Sequence, residues 1–325
     1  MTIALAADVG GTKTNLVLFD AADAALAPIA EASIRNRDHP SIDEVVRTFL
    51  ARGDAKPAAA CLGIAGPVAD GRSHMPNLGW TIDALPLAAA LGLERVVLLN
   101  DLEATAHGIA TLPPAAFAVL NEGTPRADGN MALIAAGTGL GEAILFFDGT
   151  RRRVSASEGG HADFAPRDAA QIAVLVRLIE LFGHVSWERV VSGPGLRTLY
   201  EVLEDAETPD VARRIAGAPD PSAVITELAL AGASRRCARA LDLFVAAYGA
   251  EAGNLALKAL ATAGVYVGGG IAPKILPKLR DGSFVRAFTD KGRFTDLMRT
   301  MPVRVILEPK TALRGAAAFL AAALK

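Results

Sequence analysis

The sequence predicts an α/β protein built from two duplicated domains. Three observations carry this. Short apolar runs alternate with stretches of helical period along the whole chain. A strand–turn–strand segment recurs: LAADVGGTKTNLVLFD starts at Leu5 and LIAAGTGLGEAILFFD starts at Leu133, and the two align without a gap. The length, 325 residues with 51% hydrophobic content, suits two cores better than one. Two Gly-rich hairpins opening two successive α/β segments point to duplicated domains with facing loops.

The elements follow in order. Ile3–Ala7 and Asn15–Phe19 read as strands around a Gly turn. Ser41–Leu50 reads as a helix, with Ser41 as N-cap and Glu44 completing a capping box. Ala58–Ile64 is a buried strand broken by Gly66-Pro67, and Val96–Leu99 a short apolar strand. A helix runs from about Asp101 to Leu112, with Asn100 and Glu103 fitting an N-cap and its N3 partner. That leaves Asp101 free for chemistry. Its place at the helix's positive end favours the ionised form.

Pro113-Pro114 marks a boundary. Met131–Ala135 and Glu142–Phe147 form the second strand pair, and residues 168–260 turn mostly helical. Gly264–Val267 is a strand, followed by Gly268-Gly269-Gly270 and a helix opening near Pro273. Val303–Leu307 is the last strand and Ala312–Leu324 the last helix. The expected organisation is a small α/β domain of residues 1–112 joined by the C-terminal helix 312–325, and a large α+β domain of residues 113–311.

A net charge of −2 advertises neither a nucleic-acid nor an anionic-membrane partner. Arg151–Arg153 and Arg235-Arg236 read as solvated faces. Cys61 and Cys237 are too far apart for a zinc motif and read as buried thiols. With no run of ~18 apolar residues and no basic leader before the first strand, a cytoplasmic, soluble protein is expected.

Gly10-Gly11-Thr12-Lys13-Thr14 lacks the spacing of a P-loop. Gly137-Thr138-Gly139-Leu140-Gly141 leads into a strand, so it is not a dinucleotide fingerprint. Each is either a plain hairpin turn or a backbone cradle for phosphate. Two of them could grip one polyphosphate. Asp8 beside the first loop would repel phosphate unless a cation intervened. It therefore suits Mg²⁺ held partly by substrate phosphates, through water. Gly268–Gly270 could admit a flat base or ribose, or only pack a strand on a helix. Glu158-Gly159-Gly160-His161 could present paired groups to a polyol, with Glu188 joining them or simply starting a helix behind Ser186. A surface loop is the plain alternative.

Together these segments resemble the bacterial ATP-dependent glucokinases, of the non-zinc type within the actin-like, hexokinase-type ATPases. The resemblance rests on 7–20, 98–108, 135–143, 158–166, 184–200, 265–275 and KGRF at 291–294. It implies two actin-like (ribonuclease H-like) domains, with mixed sheets flanked by helices and a cleft between them. It implies phosphorylation of the glucose 6-hydroxyl by ATP and Mg²⁺, with Asp101 as base. Asn77, Asn100, Asp101, Glu158, His161 and Glu188 would bind the sugar. Asp8, Gly10, Gly11, Thr12, Thr14, Gly137, Thr138, Gly139, Gly269 and Gly270 would serve the nucleotide. A homodimer is also implied, to which the apolar helices of residues 222–260 could supply a face. The sequence departs from the family pattern at Ala135-Ala136, Leu102 and Glu142, the last standing where an apolar residue is usual. Relatives carrying a cysteine-rich zinc motif are disfavoured, because no cysteine lies between Cys61 and Cys237. A kinase for another hexose or amino sugar, a sugar-sensing regulator and an assembling ATPase remain the alternatives. The regulator would need a DNA-binding segment ahead of Ile3.

Overall fold

The computed structural model describes residues 2–325. The chain forms two compact units, Met1–Pro114 with Glu308–Lys325, and Ala115–Leu307. The first contains β1 (Ile3–Val9), β2 (Lys13–Asp20), β3 (Pro28–Arg35), α1 (Ile42–Leu50) and β4 (Ala59–Ile64). A small meander follows: β5 (Val68–Ala69), β6 (Arg72–Met75) and β7 (Trp80–Asp83). The unit continues with α2 (Ala84–Leu91), β8 (Arg95–Asn100) and α3 (Asp101–Ile109). The main sheet has the order β3-β2-β1-β4-β8. Strands β1, β4 and β8 run parallel and the hairpin β1–β2 antiparallel.

The period-2 alternation of β1 decides which side chains go where. Leu5, Ala7 and Val9 join a core with α1 and α2, while Ala4 and Ala6 join a core on the other face. Being covered on both faces, the parallel strands are continuously apolar, which is why they were legible. The edge strand β3 is mostly exposed and carries little pattern, so the sequence did not reveal it. Ser41 occupies the N-cap of α1 but makes no side-chain cap hydrogen bond, so the expected capping box does not form. Instead Glu44 lies 3.6 Å from Arg47.

The second unit contains β9 (Phe117–Asn121), β10 (Met131–Ala136), β11 (Leu140–Phe147) and β12 (Arg152–Ser157). Five helices follow: α4 (Ala169–Phe182), α5 (Gly193–Val202), α6 (Pro209–Ala216), α7 (Pro221–Leu230) and α8 (Arg235–Ala259). Then come β13 (Gly264–Gly268), α9 (Leu276–Leu279), α10 (Ser283–Thr289), α11 (Thr295–Thr300) and β14 (Val303–Ile306). The sheet order is β12-β11-β10-β13-β14-β9. Apart from β9 it reproduces the order and strand directions of the first sheet. The last helix, α12 (Thr311–Ala323), belongs to the first unit and packs on α3, β1 and β4.

The helix expected to open near Pro273 is short and starts later, at Leu276. Residues 269–275 form turns before it, with Gly269 at φ +82°, outside the helical region. The arginine groups are not simply solvated faces either. Arg152 and Arg236 donate to backbone carbonyls, and Arg153 pairs with Asp148 at 2.6 Å. Both cysteines are buried and free. Among the described residues no helix is long and apolar enough to cross a membrane.

Candidate active site

In the first unit, three parallel strands end at one edge of the sheet. Asp8 lies near the end of β1, Asn100 ends β8 and Asp101 opens α3. Asn100 Oδ1 accepts from Leu102 N at 2.9 Å and Glu103 N at 3.4 Å, and its Nδ2 donates to Gly66 O at 3.0 Å. Asn100 is therefore the N-cap, and one of its two Nδ2 hydrogens remains for a ligand. Asp101 accepts from Leu102 N at 2.8 Å. Burial pushes its carboxyl up to about 6; the Leu102 N–H pulls it down and the nearby charge of Asp8 adds to the rise. The expected bias of the helix terminus toward the ionised form is thus outweighed by desolvation.

The Gly10–Lys13 turn closes with Gly10 N donating to Lys13 O at 3.0 Å. Asn36 braces it from behind: its Nδ2 donates to Gly10 O at 2.7 Å and its N to Thr12 O at 3.0 Å. Thr14 is a correction. It is buried, and its hydroxyl donates to Asn36 Oδ1 at 2.7 Å, so it supports the loop instead of facing a ligand. Gly11 and Thr12 are exposed. Asp8 accepts from Asn15 Nδ2 at 3.2 Å, and burial raises its pKa. A cation beside it would offset that cost. No cluster of three or more ligating side chains exists among the described residues, so any ion here would need substrate oxygens as well. The arrangement fits Mg²⁺ on those terms. Asn77 is exposed on the turn between β6 and β7.

In the second unit the turn between β10 and β11 presents Gly137, Thr138 and Gly139. Gly137 and Thr138 share with Gly270 a cavity of about 630 Å³, also lined by Arg197, Ser222 and Lys274. Gly269 lies behind that cavity: a methyl group there would fall on Ala136 O, so only glycine lets the two loops meet. Gly139 faces Glu188, whose Oε2 accepts from Leu140 N at 2.9 Å. Glu188 N in turn donates to Gly160 O at 2.9 Å. Glu188 thus ties the 137–140 turn to the Glu158–His161 loop. It starts no helix, since α5 begins at Gly193 behind Ser192. Glu158 and His161 are exposed, with His161 Nε2 4.0 Å from Glu158 Oε2.

Comparison with known proteins fits this geometry. The family model described as Glucokinase matches residues 5–323. The chain belongs to the glucokinase family. The glucokinase of Nostoc punctiforme (strain ATCC 29133 / PCC 73102) is 41% identical to it over 335 residues, covering 98% of each protein. Among solved structures, the glucokinase from an Antarctic psychrotroph superposes with a TM-score of 0.87 at 31% identity, over 98% of this chain and 99% of that one. A ROK family glucokinase from Streptomyces griseus, solved with glucose and AMPPNP, gives 0.64 at 24% identity over 98% of each chain, and so speaks for the fold alone.

Several residues of this glucokinase family member were not legible in sequence. Asn36 is a lone amide behind an exposed strand, and nothing near it signals the brace. Arg197 and Ser222 reach the cavity from α5 and from the start of α7, and only tertiary packing joins them to Gly137. Lys274 was in view within VYVGGGIAPKI, but its charge carried no meaning until the cavity placed it near Asp220. Tyr248 is wholly buried in α8, and its hydroxyl accepts from Ala136 N at 3.2 Å, at the base of both loops.

Proposed function

We propose that this protein transfers the γ-phosphoryl group of MgATP to the 6-hydroxyl of glucose, giving glucose 6-phosphate and ADP. Asp101 is the general base. It takes the O6 proton as O6 bonds to the γ-phosphorus, and the bond from that phosphorus to the ADP oxygen breaks. The observation that carries the reading is Asp101 itself: a largely buried carboxyl at a strand's end, held near neutrality. A base with a pKa close to the working pH takes a proton with more driving force than an ordinary aspartate.

Asn77, Asn100, Glu158, His161 and Glu188 orient the sugar, so that one oxygen points at phosphorus and water is kept out. Gly11, Thr12 and Thr138 meet the phosphates through backbone N–H groups, while Gly10 and Gly137 spend theirs closing the two turns on Lys13 O and Gly139 O and let the backbone approach closely. Gly270 lines the adenosine side, while Gly139 and Gly269 shape the loops. Mg²⁺ near Asp8 would supply charge neutralisation across the phosphate oxygens.

The protein works in the cytoplasm as a homodimer. The dimer face belongs to α4, where Ile172, Val176 and Ile179 are each about half exposed along one stripe. Within residues 222–260, α8 is mostly enclosed in the core and offers less of such a face. ADP formation over a panel of hexoses tests the activity. Turnover should require glucose. Equal ADP release without sugar, or a clear preference for another hexose, would refute the proposal.

A further inference from the structure

Glu142 and Glu251 bury two carboxyl groups against each other inside the second unit, at 1% and 0% exposure. Glu142 stands on β11 opposite Ser157 of β12, and Glu251 stands on α8 one turn beyond Tyr248. The two carboxyls are close enough for each to affect the other's hold on a proton. Two ionised carboxylates buried together would lose solvation and repel, so one of the pair is protonated. Among the described residues, Glu142 Oε1 and Glu251 Oε1 are both buried without a hydrogen-bond partner, as expected of oxygens that await a shared proton.

The surroundings suit one negative charge. Glu251 Oε2 accepts from Asn254 Nδ2 at 2.8 Å, and Lys258 Nζ lies 3.7 Å from Glu251 Oε1. Lys291 Nζ donates to Asn254 Oδ1 at 2.6 Å and to Ala250 O at 2.8 Å, with Arg167 and Asp290 close enough to affect its charge. Tyr248 faces Glu142 from α8. On its other side, Glu142 Oε2 packs directly on Gly159, where a methyl group would fall on it. Gly159 N donates to Ser157 Oγ at 2.9 Å. The loop between Glu158 and His161 therefore rests on the Glu142 carboxyl.

We propose that the Glu142–Glu251 pair, locked by one shared proton, is a positioning element that holds the Glu158–His161 loop in shape for the sugar. This rests on the sugar-binding reading of that loop. Burial first, and then the charge of Glu251, push Glu142 up to about 8, with Lys258 opposing. Below that pH the pair carries one charge and stays closed. Above it, two charges repel, Glu142 leaves Glu251, and the nearest thing it can displace is Gly159.

The test is the glucose KM and kcat of the full-length protein from pH 7 to 9.5, for wild type and Glu142→Gln. A glutamine amide replaces the shared proton with a permanent donor. In wild type the glucose KM should rise between ~5- and ~100-fold above pH about 8, the scale of a small misplacement, with kcat changing less. Glu142→Gln should remove that rise, while Glu142→Leu should show a raised KM already at pH 7. A flat wild-type profile overturns the proposal. So does an unchanged rise in Glu142→Gln, which would assign the titration to Lys291. Glu158→Gln at pH 7 separates the two readings. If it leaves the glucose KM unchanged, the sugar-binding reading fails and the inference with it. If it raises the KM while the pH arms fail, only the inference is lost.

Discussion

Replacing Asp101 by asparagine keeps size and shape but removes the base. General-base catalysis contributes ~10²–10⁴-fold, so kcat should fall by that factor, about 3–5 kcal/mol in the barrier. Glucose binding should change far less, because asparagine still offers a hydrogen-bonding oxygen. The pH dependence follows from the carboxyl at about 6, and it sets the acid limb. The ionised fraction is about 0.9 at pH 7 and about 0.1 at pH 5, so wild-type kcat/KM should climb through this window and then level off.

Stability runs the other way. A carboxyl whose folded-state pKa is raised stabilises the fold at low pH, and that contribution is lost as pH rises through the folded value. The rise from 3.8 to about 6 amounts to up to about 3 kcal/mol of cost at pH 7. Asp101→Asn should therefore be nearly inactive and yet more resistant to urea at pH 7, with the gain shrinking toward pH 4. Coupled-enzyme kinetics and urea midpoints across pH 4–8 read both. Near-normal turnover, or a variant less stable than wild type at pH 7, would refute the reasoning.

Tyr248→Phe leaves the buried Ala136 N–H without its partner; urea unfolding should show a loss of about 1–3 kcal/mol, and the ATP KM should rise while the glucose KM holds. Chelation should abolish ADP formation, and Asp8→Asn should need more Mg²⁺ for half-maximal rate, read by titrating the metal at fixed ATP. Val176→Asp on the open stripe of α4 should give monomers by sedimentation equilibrium with little change in Tm. A monomeric wild type would dismiss the dimer proposal.

How far the sequence could be read depended on burial. Strands such as β1, β4 and β10 lie inside their sheets, and their apolar runs were plain. The edges β3 and β12 are solvated, carry little period, and were missed. The repeat beginning at Leu5 and Leu133 foretold duplicated domains, and the structure adds that their sheets share one strand order. The candidate site could be proposed from sequence where glycine and carboxylate stood close together, as at 8–12, 100–101, 137–139 and 158–161.

By itself, then, the sequence determined the duplicated α/β plan, the family, and the positions of its loops. Those features are local in the chain and repeat at a readable period. Only the tertiary structure decided what each group can do. It turned Thr14 inward onto Asn36, gathered Arg197, Ser222 and Lys274 around one cavity, and set Glu142 against Glu251. It also moved Asp101 from an ordinary carboxylate to one poised near neutrality. The physical reason is that burial and long-range contact set proton affinity and hydrogen-bond partners, and neither is written in the spacing of residues along the chain.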